Sequence, residues 1–285
     1  MTSAFLINQL LGVLATASIS ALVAIGLAIS FRLMGVINLA HGQFIMLGAY
    51  AVVVSLQHGL PFPIAVLVAL VAGFLLGALT EVALIRRFYD SPELAILATF
   101  ALGILIQQVV QIIFGNSYQN LANPLPGTVS IAGASFPGYR LVLIVITILV
   151  LGAIIYLLSA TPVGMRIRAV ATDSSLADSL GIRSAVLKTL IFALSTALAT
   201  LAGALVAPTT NVEPAMGSNF LFIAFVVVII GGNRVSMVLV AALLAAAVEN
   251  TLTYYVAPLV SELAVLALAF LVLASARTGG KGATI

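Results

Sequence analysis

The chain has 285 residues, 63% of them hydrophobic and only 7% charged, with a formal net charge of +3 and a mean hydropathy of +1.29. A soluble domain carries about a quarter charged residues, so a water-soluble globular fold is excluded and the long apolar runs point to a helical protein with several membrane crossings. An outer-membrane barrel is excluded as well, because the runs lack apolar/polar alternation.

There is no cysteine, and His41 and His58 are the two histidines, so disulfides, thiolate centres and histidine-rich metal sites drop out. The basic balance reads as the mark of cytoplasmic loops, not of nucleic-acid binding. The N-terminal stretch MTSAFLINQLLGVLATASIS lacks a basic leader and reads as the approach to the first span, not as a cleaved signal.

Hydropathy predicts spans at about 8–30, 39–57, 62–85, 94–114, 139–159, 186–207, 219–231, 235–256 and 259–275. That makes an all-α polytopic membrane protein of eight to nine helices. Residues 1–285 read as one transmembrane domain. The seventh segment is short, either a full crossing or a re-entrant half-span. With the N-terminus outside and every segment crossing, Arg32, Arg86, Arg87, Arg166, Arg168, Arg183, Lys188, Arg234, Arg277 and Lys281 fall on one side. Arg140 alone falls on the other, a split that follows the positive-inside rule and puts the C-terminus in the cytoplasm. The outer loop 115–140 carries Pro124, Pro126 and Pro137 and reads as irregular.

The inner loop, about 160–188, is basic, and it reads as helical in its middle. Asp and Ser residues open DSSLADSLG, Ser175 and Asp178 fit a capping box, and Gly181 fits a helix end. Such a short helix is either a docking element or an ordinary ordered loop.

Polar groups within spans are expensive and face a partner or a wet cavity. Asn38, His41 and Gln43 stand within six residues of one another, beside Gly42 and a few residues after Gly35. They read either as a discontinuous helix lining a translocation path or as an interfacial turn. In the first case Gly42 lets the chain turn or approach a neighbour, and a neutral His41 and Asn38 satisfy freed backbone groups. Glu249 and Asn250 lie in a run of small apolar residues, as path residues or as partners of other buried polar groups. Glu81 is placed for local pairing with Arg86 and Arg87. Gln107, Gln108 and Gln111 form a polar patch toward the outer end of the fourth span. GFLLG at 73–77 is a small-residue packing motif. No Walker motif, Ser-His-Asp set or HExxH is present, so an ATP-driven role requires a separate ATPase chain.

GVINLAHGQFIMLGAY (35–50) and TPVGMRIRAVATDSSLADSLGI (161–182) together resemble the signatures of H-type permease subunits of branched-chain amino-acid ABC importers. The second motif is carried by Gly164, Arg166, Arg168, Ala169, Ala171, Asp173, Ala177, Gly181 and Ile182. TEVALIRR and VVIIGGNRVSM are similar to two weaker family motifs, and the resemblance runs the length of the chain. It implies a multi-pass subunit of a bacterial inner membrane, paired with a second homologous permease as a heterodimer, with a second copy of this chain as the alternative. Two cytoplasmic ATPase chains would bind ATP and Mg and dock on the 160–188 loop. There Leu176, Ala177 and Leu180 would offer small apolar docking groups behind Arg166 and Arg168. A periplasmic binding protein would deliver the substrate and set most of the specificity. The permease itself would need no cofactor and catalyse no reaction.

Two departures leave the substrate open to urea, short amides or small organic acids. The chain ends ARTGGKGATI where members carry Arg-Pro-x-Gly-Leu-Phe-Gly, and Asn233 and Arg234 replace a Gly-Ser pair. The competing class is an ion-coupled secondary transporter or channel using His41 and Glu249.

Overall fold

The computed structural model describes residues 3–35, 37–89, 91–231 and 235–279. Among them the helices run in chain order as α1 (Ser3–Met34), α2 (His41–Gln57), α3 (Phe62–Ala83), α4 (Pro92–Phe114), α5 (Gly138–Ala160), α6 (Pro162–Thr172), α7 (Ser174–Ser179), α8 (Ser184–Val206), α9 (Met216–Gly231), α10 (Val235–Tyr255) and α11 (Pro258–Gly279). Six of these helices are long and apolar enough to cross a membrane: those of residues 4–34, 62–83, 92–114, 138–160, 184–209 and 237–255. At about 1.5 Å per residue, α2 with 17 residues and α9 with 16 reach about 25 Å, short of a hydrocarbon core of about 30 Å. Arg234 and Lys281, counted above among the basic residues, lie outside the described residues, as does Asn233.

The helices sort by burial. Most of α8 is enclosed, and α1 and α2 are enclosed over much of their length. In contrast, α3, α4 and α5 turn wide apolar faces outward. Small residues explain how α8 takes the centre. A Cβ on Gly48 of α2 would overlap the Thr200 carbonyl, and one on Gly203 of α8 would overlap the Ile45 carbonyl. The GFLLG motif does the same work on the other side, where Gly73 and Gly77 receive Thr200 and Thr196. With little hydrophobic drive between helices in lipid, such close backbone approach supplies the packing.

Contacts between helix ends fall into two groups. At one end, which carries most of the basic residues, the end of α1 meets α6 and Arg86 meets Thr189 near the start of α8. At the far end, Phe5 stacks on Tyr254 (5.3 Å), and Tyr139 Oη donates to the Leu205 carbonyl (2.7 Å).

Two loops are more ordered than the sequence predicts. Within 115–140, Thr128–Ile131 (β1) and Ala134–Pro137 (β2) pair as an antiparallel hairpin, with Ile131 opposite Ala134. Ala132 (φ 49°) and Gly133 (φ 84°) form its two-residue turn, and positive φ at both centres is what a tight hairpin of the right twist demands. The basic loop holds two helices, not one. Pro162 starts α6 at a position where its missing N–H costs nothing, and Thr161 Oγ1 caps it from the Gly164 N–H (3.1 Å).

Candidate translocation path and coupling surface

The chain leaves α1 at Gly35 (φ 69°) and re-enters helix only at His41. The break therefore precedes residues 41–43, and Gly42 sits inside the first turn of α2. Its glycine is required by contact, since a Cβ there would overlap the Gly217 carbonyl at the start of α9. Two short helices thus begin against each other in the interior of the bundle. Their approach is close enough that a Cβ on Gly217 would come within 2.7 Å of both Gln43 Oε1 and the Gly42 carbonyl.

The freed backbone is satisfied locally. Asn38, fully buried, accepts from the Ala40 N–H through Oδ1 (3.0 Å), and its carbonyl accepts from the His41 N–H (3.2 Å). The sequence gives no hint of a third contributor, Thr99 of α4, whose Oγ1 accepts from the Leu39 N–H (3.1 Å). His41 acts elsewhere: its Nε2 meets the Val23 carbonyl on α1 (3.0 Å), which makes that nitrogen the donor. Ser195 Oγ of α8 donates to the Gly26 carbonyl one turn on (2.6 Å). Gln43 Nε2 donates to Gln107 Oε1 (3.3 Å), so this glutamine packs between helices. Asn38 Nδ2, His41 Nδ1 and Gln43 Oε1 are buried with no hydrogen-bond partner among the described residues.

Glu249 and Asn250 lie on a different stretch. Asn250 Nδ2 donates back to the Ala246 carbonyl (3.0 Å), and the Asn250 carbonyl accepts from Gln9 Nε2 (3.4 Å). Glu249 lines three cavities, of about 200, 230 and 450 Å³, with Thr16 and Ser20 of α1 among their walls. The two polar groups thus lie beside different parts of one helix: His41 bonds to Val23, and Glu249 lines cavities with Thr16 and Ser20.

At the basic end, Glu81 is fully buried and gathers four donors' worth of contacts. Arg86 Nη2 donates to Oε2 (2.9 Å) and Nε to Oε1 (3.3 Å), Tyr89 Oη donates to Oε1 (2.9 Å), and Thr189 Oγ1 donates to Oε2 (2.6 Å). Desolvation first, and the neighbouring Glu81 charge second, push the Tyr89 hydroxyl up. Lys188 lies 4.5 Å over the Tyr89 ring. The expected local ion pair is therefore also a tie from the end of α3 to the start of α8.

The α6–α7 elbow hangs from that tie. Gly164 is needed for packing, since a Cβ there would overlap the Leu157 and Leu158 carbonyls of α5. Arg166 and Arg168 point outward. Asp173 caps α7 by accepting from the Ser175 and Leu176 N–H groups (both 2.9 Å), and the chain turns out at Gly181 (φ 81°), where the Ile182 N–H reaches the Ala177 carbonyl (3.0 Å). The expected Ser175–Asp178 box does not form. Asp178 reaches forward to the Ser184 N–H (2.9 Å) and Oγ (2.7 Å), and these two bonds hold its carboxyl below the usual carboxylate range. The predicted docking trio also divides: Leu176 (59% exposed) and Leu180 (73%) face out, but Ala177 (2%) faces the protein.

Residues 9–275 match the family described as branched-chain amino acid transport system / permease component. The chain belongs to this family. The permease is 29% identical to the probable branched-chain amino acid transport permease protein LivH of Methanocaldococcus jannaschii, over 86% of this chain and 81% of that one. It is 26% identical to the high-affinity branched-chain amino acid transport system permease protein BraD of Pseudomonas aeruginosa, over 79% of each chain. Among solved structures it is similar to PsaBC from Streptococcus pneumoniae in complex with Fab, at 15% identity and a TM-score of 0.49, over 93% and 91% of the two chains.

Proposed function

We propose that this permease forms the membrane path of an ATP-driven importer for branched-chain amino acids, in the inner membrane of its cell. A second homologous permease chain pairs with it, two ATPase chains bind ATP and Mg, and a binding protein delivers substrate to the far end. The observation that carries the ATPase coupling is the capped helix α7 at the basic end, with Leu176 and Leu180 exposed and Arg166 and Arg168 beside it. Apolar groups rimmed by charge suit a protein partner, and the positive-inside rule puts that end in the cytoplasm. The C-terminus follows, because α11 starts beside the far end of α10. Residues 38–43, where two short helices start against each other, are the point at which the path opens and closes. The names of the relatives support branched-chain amino acids as cargo.

Leu176→Asp combined with Leu180→Asp tests the coupling. The variant should reach the membrane at the normal level, lose the co-purifying ATPase and take up no substrate above background. Normal ATPase retention with normal uptake would overturn the assignment.

A further inference from the structure

The cavities that meet at Glu249 have a composition of their own. Glu249 stands six residues before the end of α10, about 9 Å inside the far end. The 230 Å³ cavity is lined by both Glu249 and Arg140, together with Thr16, Ser20, Thr209 and Thr210. Arg140 is the third residue of α5, the basic side chain that the crossing pattern puts alone at the far end. The adjoining 200 Å³ cavity shares Ser20, Ile223 and Glu249 and is otherwise mostly apolar, with Phe222, Val226, Val227 and Val265. Both are below the roughly 300–1,000 Å³ of pockets for drug-sized ligands. One cation, one anion, several hydroxyls and an aliphatic wall are thus brought together in a space of small-solute size.

We propose that this chamber is a holding point for a zwitterionic α-amino acid. Its ammonium meets the Glu249 carboxylate, its carboxylate meets the Arg140 guanidinium, and its branched side chain lies against Phe222, Ile223 and Val226. The inference rests on the permease reading above and adds the residues that read the cargo. The chemistry fits transport. An ion in this setting is desolvated only where another charge or hydroxyl replaces water, and the chamber offers one replacement for each end of the zwitterion. A solute with a single charge can engage only one of the two. With one contact of each sign the hold is brief, as passage requires.

The natural absence of cysteine gives a clean test in the assembled importer. Asn219→Cys places a thiol in the wall of the apolar cavity, and Thr16→Cys provides a second position in the polar one. Thiol labelling of each is followed with leucine, with leucine amide, which lacks the carboxylate, and with 4-methylpentanoate, which lacks the ammonium. Leucine should slow labelling about tenfold once it is about ten times its dissociation constant. The two singly charged analogues should protect little, and Glu249→Gln or Arg140→Gln should abolish protection by leucine. Equal protection by all three solutes, leucine protection that survives both substitutions, or no protection at either position would overturn the holding point. ATPase retention and ATP-dependent uptake, measured on the same samples, report separately on the permease reading. If both persist without protection, only the chamber fails.

Discussion

A methyl group on Gly42 would be driven into the Gly217 carbonyl, and backbone has no rotamer to yield with. Gly42→Ala should therefore lower the thermal midpoint of the purified permease, by overpacking of about 1–3 kcal/mol. Gly152, on an outward face of α5 with nothing near a new Cβ, is the control, and Gly152→Ala should hold or raise the midpoint. His41 allows a finer comparison. Its Nε2–H meets the Val23 carbonyl, so His41→Gln, which keeps a donor, should preserve more uptake than His41→Leu at matched membrane levels. Normal uptake by His41→Leu would reduce that bond to packing. Asp178 titrates outside the membrane. Its folded-state pKa lies below the unfolded one, so its contribution is present above the ordinary carboxylate range and is lost as pH falls through the lowered value. The midpoint difference between the parent chain and Asp178→Asn should shrink toward zero on acidification, and a difference constant with pH would contradict this.

Among the elements, the spans were the legible part, because twenty apolar residues have few other uses. The break before α2 was legible too, from Asn38, His41 and Gln43 in an oily run, though its position was read a few residues late. The reason is that Gly42 looks like a helix breaker in sequence and acts as a contact surface in space. Thr99 and Gly217 left no local signal, since each matters only through a partner far along the chain. By contrast, α6 had its signal, Thr161 ahead of Pro162, which was outweighed by the polar look of the loop. The burial of Ala177 follows from helix phase, which a six-residue helix is too short to reveal. It also changes what a substitution there reports. Ala177→Arg should loosen the elbow itself, seen as faster proteolysis within 173–183, whereas Leu176→Asp should leave cleavage unchanged and affect only partner binding. Equal protease resistance in both variants would place Ala177 back on the surface.

For the whole molecule, the tie at Glu81 connects the coupling elbow to the interior. From α7 the chain passes through Asp178–Ser184 into α8, is held to α3 by Thr189–Glu81, and then runs against Gly48 and Gly73. On the proposed coupling, a push on α7 should travel along α8 to the bonds that frame the break. Glu81→Gln with Thr189→Val should show a coupling energy of about 0.5–3 kcal/mol in a double-mutant cycle of stability. The pair should also let the bound ATPase hydrolyse ATP with less uptake per ATP. Additive stabilities with unchanged uptake per ATP would argue that the stroke travels elsewhere.

The position of α1 has a consequence for how the protein is made. This helix emerges first, yet much of its packing is against α8, α9 and α10, from the last part of the chain. Ser195 reaches the Gly26 carbonyl across 169 residues, and Gln9 reaches the Asn250 carbonyl across 241. During synthesis α1 therefore waits in the membrane with this face uncovered while α2 to α5 are inserted. The centre of the finished bundle is closed only when the final third of the polypeptide arrives, so a chain stopped before residue 184 should lack the helix on which α1, α2 and α3 pack.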